Sequence, residues 1–329
     1  MNETGGMPVK NKLAVCAALC AMFAMLFASQ QVVESCRCAL QLCLEMILPT
    51  LFPFFVISIL LSRLGFPALL GRLIAPAAER LFGISGTGAS ALVIGLTGGY
   101  PLGAAYIADM ERSGAVSARE AERLLAFCNN SGPAFIIGAI GVGVFGSASA
   151  GLLLYAMHAC AAVGTGLLLR HRRVSASERP PSPAAPAPVP LSRALPDAVS
   201  QAVVSVLSVC GFVVCFSAFT GLLDANGFFS AAAGRLSLLL GTELHWTRAL
   251  LCGLLELGSG AGAMRGLSLT PLNAALAAGL LSWGGISVHL QTLALLADSE
   301  IKGALHTAGR LVSALLAAAL AYVFTKILF

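Results

Sequence analysis

The chain has 329 residues, of which 57% are hydrophobic and only 11% charged, with a mean hydropathy of +0.87. A soluble chain carries about 25% charged residues, so most of this surface faces something other than water. A soluble enzyme, a disulfide scaffold and a disordered tail protein are excluded. The net charge of +5 comes from Lys and Arg beside apolar runs, with no aromatic-interleaved basic stripe, which points to cytoplasmic loops and not to nucleic acid.

Residues 1–12 are polar, and Lys10 and Lys12 precede the apolar run Leu13–Ala28. No cut near its end has small residues at both −1 and −3 (Leu26/Ala28, Phe27/Ser29), so residues 1–39 read as an uncleaved signal-anchor segment. A first unit, 40–173, contains the apolar run Cys43–Leu61 with Pro49 and Pro53, a half-polar stretch Arg63–Arg80, and the run Ala89–Ala108. The charged loop Asp109–Arg123 follows, and Ser117-Ala-Arg-Glu120 in it is a capping box that starts a helix. That helix reaches about Val144, interrupted at Asn129-Asn130-Ser131-Gly132-Pro133, and Ala148–Leu169 is the next span, ending in Arg170–Arg173. Residues 174–193 form the linker; Pro180, Pro181, Pro183, Pro186, Pro188 and Pro190 make it extended and unpacked. The second unit, 194–329, has spans near Ala198–Leu223, Ala249–Met264, Pro271–Leu296 and Leu305–Phe324, and a weaker apolar stretch Gly227–Leu240. Thr270 before Pro271 is an N-cap with proline at the first helical position.

The two units resemble each other. At an offset of 158, Phe54-Phe55-Val56 matches Phe212-Val213-Val214, and Ala91-Leu-Val-Ile-Gly-Leu96 matches Ala249-Leu-Leu-Cys-Gly-Leu254. A glycine-rich break follows each: Thr97–Gly103 and Leu257–Gly262. A second break inside an apolar run comes next: Asn129–Pro133 and Ser282–Gly285. If every run crossed the membrane, 9 of the 20 Lys and Arg would lie inside and 11 outside. If Ala89–Ala108 and Ala249–Met264 are instead re-entrant hairpins, 15 lie inside and 5 outside, which satisfies the positive-inside rule. The expected fold is therefore an all-α polytopic membrane protein. It has an inverted repeat with broken helices and re-entrant hairpins, N-terminus and linker inside and C-terminus outside. Such repeats place binding sites at the midplane in secondary transporters.

Backbone freed by glycine and proline in mid-membrane is tolerated only where it packs on protein or lines a cavity. The four breaks therefore nominate Tyr100, Asn129, Asn130, Ser131, Ser259, Ser282 and His289 as substrate-binding residues in one polar cavity. Glu256, a carboxylate within Leu250–Leu257, is the candidate for a coupling proton or cation. Glu45 belongs at the interface, and Asp109, Glu111, Glu120 and Glu122 form a solvated face. No metal or cofactor is expected. Cys16, Cys20, Cys128, Cys160, Cys210, Cys215 and Cys252 lie in apolar runs, while Cys36, Cys38 and Cys43 lie near a membrane edge without zinc-site spacing. A serine protease built on Ser259 with His289 as base fails, because Leu257 stands where the nucleophile loop needs glycine. No catalytic residue is named, and the chain reads as a non-enzyme.

Several segments carry a family resemblance: Leu48–Phe55, Gly98–Ala104, Glu122–Ser131 with Pro133, Gly253–Glu256 and Ser282–Gln291. In order, over about residues 40–325, the chain resembles the YlbJ family of sporulation integral membrane proteins. That family carries the nucleoside-recognition, or Gate, domain also found in concentrative nucleoside transporters. The resemblance implies transport of dipicolinate, a small organic anion, across the outer forespore membrane during sporulation. The alternatives are transport of a nucleoside or other small solute, or a non-transporting assembly role. The expected partners are the small-molecule anion, a coupling proton or cation, the lipid bilayer and a further copy in an oligomer, with no nucleic acid.

Overall fold

The computed structural model describes residues 9–170 and 189–328. The proline-rich 174–188 of the linker lies outside the described residues. Every regular element among the described residues is helical. Among the described residues, five helices are long and apolar enough to cross a membrane: Ser29–Arg63, Ala148–Leu168, Leu191–Ala225, Pro271–Leu295 and Ala304–Leu328. The protein is a polytopic all-α membrane protein.

The edge helix α1 (Val9–Phe27) leaves Leu13, Phe23 and Phe27 exposed. The next helix, α2 (Ser29–Arg63), runs 35 residues. It begins fourteen residues before the apolar run Cys43–Leu61, so a boundary at 39/40 falls within one continuous helix. A widened turn at Cys43–Ile47 precedes Pro49 and Pro53, where proline withholds its N–H and crowds the preceding turn. The Thr50 hydroxyl donates to Met46 O at 2.6 Å there. The short helix α3 (Phe66–Phe82) starts after Gly65 and stops at Gly83, both left-handed. Then come α4 (Ala89–Thr97), α5 (Leu102–Arg112), α6 (Ala118–Cys128), the wide-turned α7 (Ala134–Val142) and α8 (Ala148–Leu168).

The second half repeats this order. The 35-residue α9 (Leu191–Ala225) precedes a short α10 (Phe228–Leu240). The pair α11 (Leu244–Leu255) and α12 (Leu257–Ala263) follows, then α13 (Pro271–Trp283), α14 (Gly285–Leu295) and α15 (Ala304–Leu328). Long helix, short helix, split pair, split pair, long helix is thus the sequence of elements in each half. The long helices α2 and α9 pack on one another, while α15 packs against α13, α8 and α6.

Local chemistry explains the helix starts. Ser117 Oγ accepts from Glu120 N at 3.3 Å and Thr270 Oγ1 from Asn273 N at 3.2 Å, as N-caps do. Glu120 departs from the expected solvated face: it is 2% exposed. Its carboxylate accepts from Ser85 N at 2.5 Å, so a distant segment takes the oxygen that a full capping box would return to its own helix. Arg123 donates to Phe82 O at 2.6 Å and closes the end of α3. Glu45, half exposed, faces Arg265 at 3.6 Å. The cysteines are free.

Candidate functional site

The polar centre is built where the broken helices cross. The chain from Asn129 to Pro133 separates α6 from α7, and Gly284 separates α13 from α14. Backbone groups freed at such breaks need partners inside the protein. Here they find one another. Ser131 Oγ donates to Leu281 O at 2.9 Å. Ser131 N donates to His158 Nε2 at 3.2 Å, and His158 Nδ1 lies 2.6 Å from Ser282 Oγ. Since Nε2 accepts, the ring proton sits on Nδ1 and is donated to Ser282. One imidazole from α8 therefore joins the two breaks.

A guanidinium from α15 does the same on the carbonyl side. Arg310 is fully buried. Its Nε donates to Ser282 O at 2.7 Å, and its Nη1 to Asn129 O at 2.7 Å and Asn130 Oδ1 at 2.9 Å. Its carbon Cζ lies 5.7 Å from the centre of the Tyr100 ring. Asn130 is further fixed by donating to Phe127 O at 2.9 Å. Asn129 Nδ2 donates to Thr292 Oγ1 at 3.0 Å and lies 3.2 Å from His306 Nε2.

The split pairs close over this centre. At the first, a side chain on Gly95 would strike Cys128 O, and one on Gly99 would strike Gly132 N. Only glycine lets the α4–α5 junction lie directly on the first break. At the second, α11 and α12 pack backbone to backbone at Gly253 and Gly260, so the chain folds back on itself at Glu256. Both carboxylate oxygens of Glu256 accept backbone N–H groups, from Gly258 at 2.8 Å and Ser259 at 2.5 Å. Glu256 thus caps α12 while remaining 4% exposed. The Trp283 indole donates to Leu254 O at 3.1 Å and ties this hairpin to α13.

A cavity of about 50 Å³ lies among these parts, bordered by Tyr100, Ser131, Glu256 and Gln291 with the apolar Ile47, Leu51, Phe55 and Val288. Of the residues nominated from sequence, Tyr100, Ser131 and Glu256 border it. Asn129, Asn130 and Ser282 are fully buried in the network behind it. Ser259 sits on α12 with its hydroxyl 3.1 Å from Ser217 Oγ of α9. His289 packs 4.3 Å from Trp283 and 5.0 Å from His306, ring centre to ring centre. A larger apolar groove of about 480 Å³ opens outward between α2 and α7, along Pro53, Phe54, Ile57 and Ile137. Its lining is almost wholly apolar.

Sequence reasoning missed Arg310, His158 and His306, and with them Thr292 and Ser287. One signal was available: Arg310 is an ionisable residue inside the apolar run Leu305–Phe324, the same criterion that singles out Glu256. His158, inside the apolar run Ala148–Leu169, carries the same signal.

No protein-family model matches the chain. It is 31% identical over 295 residues to the sporulation integral membrane protein YlbJ of Bacillus subtilis (strain 168), covering 82% of this chain and 71% of that one. Among solved structures it is similar to a doubly substituted CNTnw, a concentrative nucleoside transporter, in an outward-facing state. That likeness has a TM-score of 0.59 at 14% identity and spans 96% of this chain and 86% of the other.

Proposed function

The chain belongs to the family of the sporulation integral membrane protein YlbJ, and from that premise we propose that it is a secondary transporter of a small organic anion. We take the anion to be dipicolinate and the membrane to be the outer forespore membrane of a sporulating cell. One observation carries the choice of an anion: among the described residues, Arg310 is fully buried and bonded to carbonyl and amide oxygens, with no carboxylate in its hydrogen-bond set. A buried cation without a counter-charge is costly. A negatively charged solute at the neighbouring cavity offsets that cost.

The remaining roles follow from position. Tyr100 and Ser131, at the cavity wall, contact the solute. Asn129, Asn130 and Ser282 hold the two breaks in register, and His289 packs beside them. Glu256 carries the coupling proton or cation, since an ionised carboxylate on the wall repels an anion. Ser259 orients the Glu256 turn. In this reading the α4–α5 and α11–α12 pairs re-enter the membrane and the repeats are inverted, consistent with the charge distribution. The cavity is narrow, about 50 Å³, and in this reading it widens as the hairpins separate from the crossed helices.

Uptake of labelled dipicolinate into proteoliposomes tests the function, with a labelled nucleoside as control. Accumulation of dipicolinate alone supports it. Accumulation of the nucleoside instead assigns the nucleoside class. Failure of both with correctly folded protein removes the transport reading in favour of an assembly role.

A further inference from the structure

The short helix α3 carries positive charge that nothing else in the fold answers. Its packed side is narrow: Pro67, Gly71, Ala78 and Phe82 are buried. A Cβ on Gly71 would stand 2.9 Å from the Ser90 backbone, so α3 lies hard against α4. The other side is open. Leu69 and Leu73 are 71% and 76% exposed. Pro76 and Arg80, also exposed, continue the same stripe at helical spacing. A leucine stripe favours hydrocarbon, yet α3 is too short and too charged to cross it. Its 17 residues reach about 25 Å, against a hydrocarbon core about 30 Å thick, and they include Arg72, Glu79 and Arg80. A helix with one packed side, an apolar stripe and charges beside it lies along the bilayer surface.

Three arginines belong to this surface. Arg63 ends α2 two residues before Gly65, where the chain turns into α3, and Arg72 and Arg80 lie within α3. All three are exposed. Among the described residues, none of them makes a hydrogen bond or an ion pair. Glu79, the one acidic residue of α3, leans onto the following turn, with Oε1 3.3 Å from where a Cβ on Gly86 would stand. The counterpart in the second half, α10, also exposes leucines, Leu238 and Leu239, but contains a single arginine, Arg235. Apolar exposure is thus common to both short helices, and the unanswered charge is particular to α3.

We propose that α3, together with Arg63, is a docking surface for anionic lipid headgroups. The leucine stripe enters the acyl boundary, and the three guanidiniums bind headgroup phosphates. The stems of Arg72 and Arg80 lie along the helix while their heads reach the phosphate level, and a guanidinium pairs two phosphate oxygens at once. Net charge then selects anionic over zwitterionic lipid, with about fivefold from each arginine at the surface. A second copy docked symmetrically on this face would set the arginines against their own kind. The inference concerns the membrane contact and is independent of what the protein transports.

A fluorophore on α3 reads the lipids beside it. The full-length protein, cysteine-free except for Ala77→Cys at an exposed position of α3, is labelled with bimane and placed in phosphatidylcholine vesicles. Phosphatidylglycerol or phosphatidylcholine bearing a nitroxide near the headgroup is then added as quencher. Phosphatidylglycerol should reach half-quenching at a mole fraction about tenfold or more below that of phosphatidylcholine. Arg63→Gln, Arg72→Gln and Arg80→Gln should each shrink this preference about fivefold, and the triple variant should lose it. Arg235→Gln on α10 should leave it unchanged, as should millimolar inorganic phosphate. Melting curves confirm folding, and the single variants decide the matter if the triple one does not fold. Equal quenching by the two lipids overturns the proposal, and so does a preference that survives in the folded arginine variants. Quenching by neither lipid places α3 away from the bilayer and also overturns it. Loss of the preference in phosphate marks a free-phosphate site in place of a lipid surface.

Discussion

Replacing His158 by leucine tests whether the two helix breaks are held together as the geometry describes. The imidazole accepts from Ser131 N at 3.2 Å and donates to Ser282 Oγ at 2.6 Å, and all three residues are buried. Leucine fills a similar volume but serves neither partner. Each buried group left unpartnered costs about 1–3 kcal/mol, so the pair costs about 2–6 kcal/mol. For a chain of this size about 1 kcal/mol corresponds to roughly 2 °C in melting temperature, giving an expected drop of roughly 4–12 °C. Size-exclusion chromatography after a heating series in detergent reads this directly. His158→Gln retains a donor and an acceptor and should recover at least half of the loss. A His158→Leu protein that melts within about 1 °C of the parent would refute the link, whatever its transport activity.

Glu256→Gln should abolish coupled uptake while leaving a folded protein, because the amide oxygen still caps one of the two α12 N–H groups and the loss is about 1 kcal/mol; unchanged concentrative uptake in proteoliposomes would contradict the assigned role. Glu120→Ala removes the acceptor for Ser85 N and should lower stability by about 1.5–3 kcal/mol in the same melting assay, with Glu120→Gln intermediate; an exposed, solvated Glu120 would show no effect. Single cysteines at Ser113 and Ser268 in a cysteine-free background should label from opposite sides of the membrane, Ser113 from the inside, and labelling of both from one side would exclude the hairpin topology. Deleting residues 178–188 should leave membrane insertion and uptake nearly intact, since the segment lacks apolar residues with which to pack; normal insertion with complete loss of uptake would make the linker more than a tether.

Much of this architecture is legible in the order of residues. Apolar runs of spanning length mark α8, α9, α13–α14 and α15, because lipid demands about 20 apolar residues for each crossing. The breaks at Asn129–Pro133, Glu256 and Gly284 are visible as glycine, proline and polar residues where lipid forbids free backbone. Ser117 and Thr270 announce their helix starts through local bonds three residues long. Such features depend on neighbours in the chain, and neighbours are what a sequence displays.

Partners far apart in the chain were decided only by tertiary structure. Arg310 reaches Asn129 and Asn130 across about 180 residues, His158 reaches Ser282 across 124, and Glu120 is drawn inward by Ser85 across 35. No local pattern encodes those pairings: the Arg310 and His158 bonds exist only once the halves have docked, and the Glu120 bond only once the first half has folded. The sequence marks Asn130, Ser131, Ser282 and Glu256 alike as polar residues at breaks. Docking alone sets Ser131 and Glu256 on a cavity wall and commits Asn130 and Ser282 to the network behind it. The physical reason is that a freed backbone group takes the nearest available donor or acceptor, and which one is nearest is a property of the folded halves together.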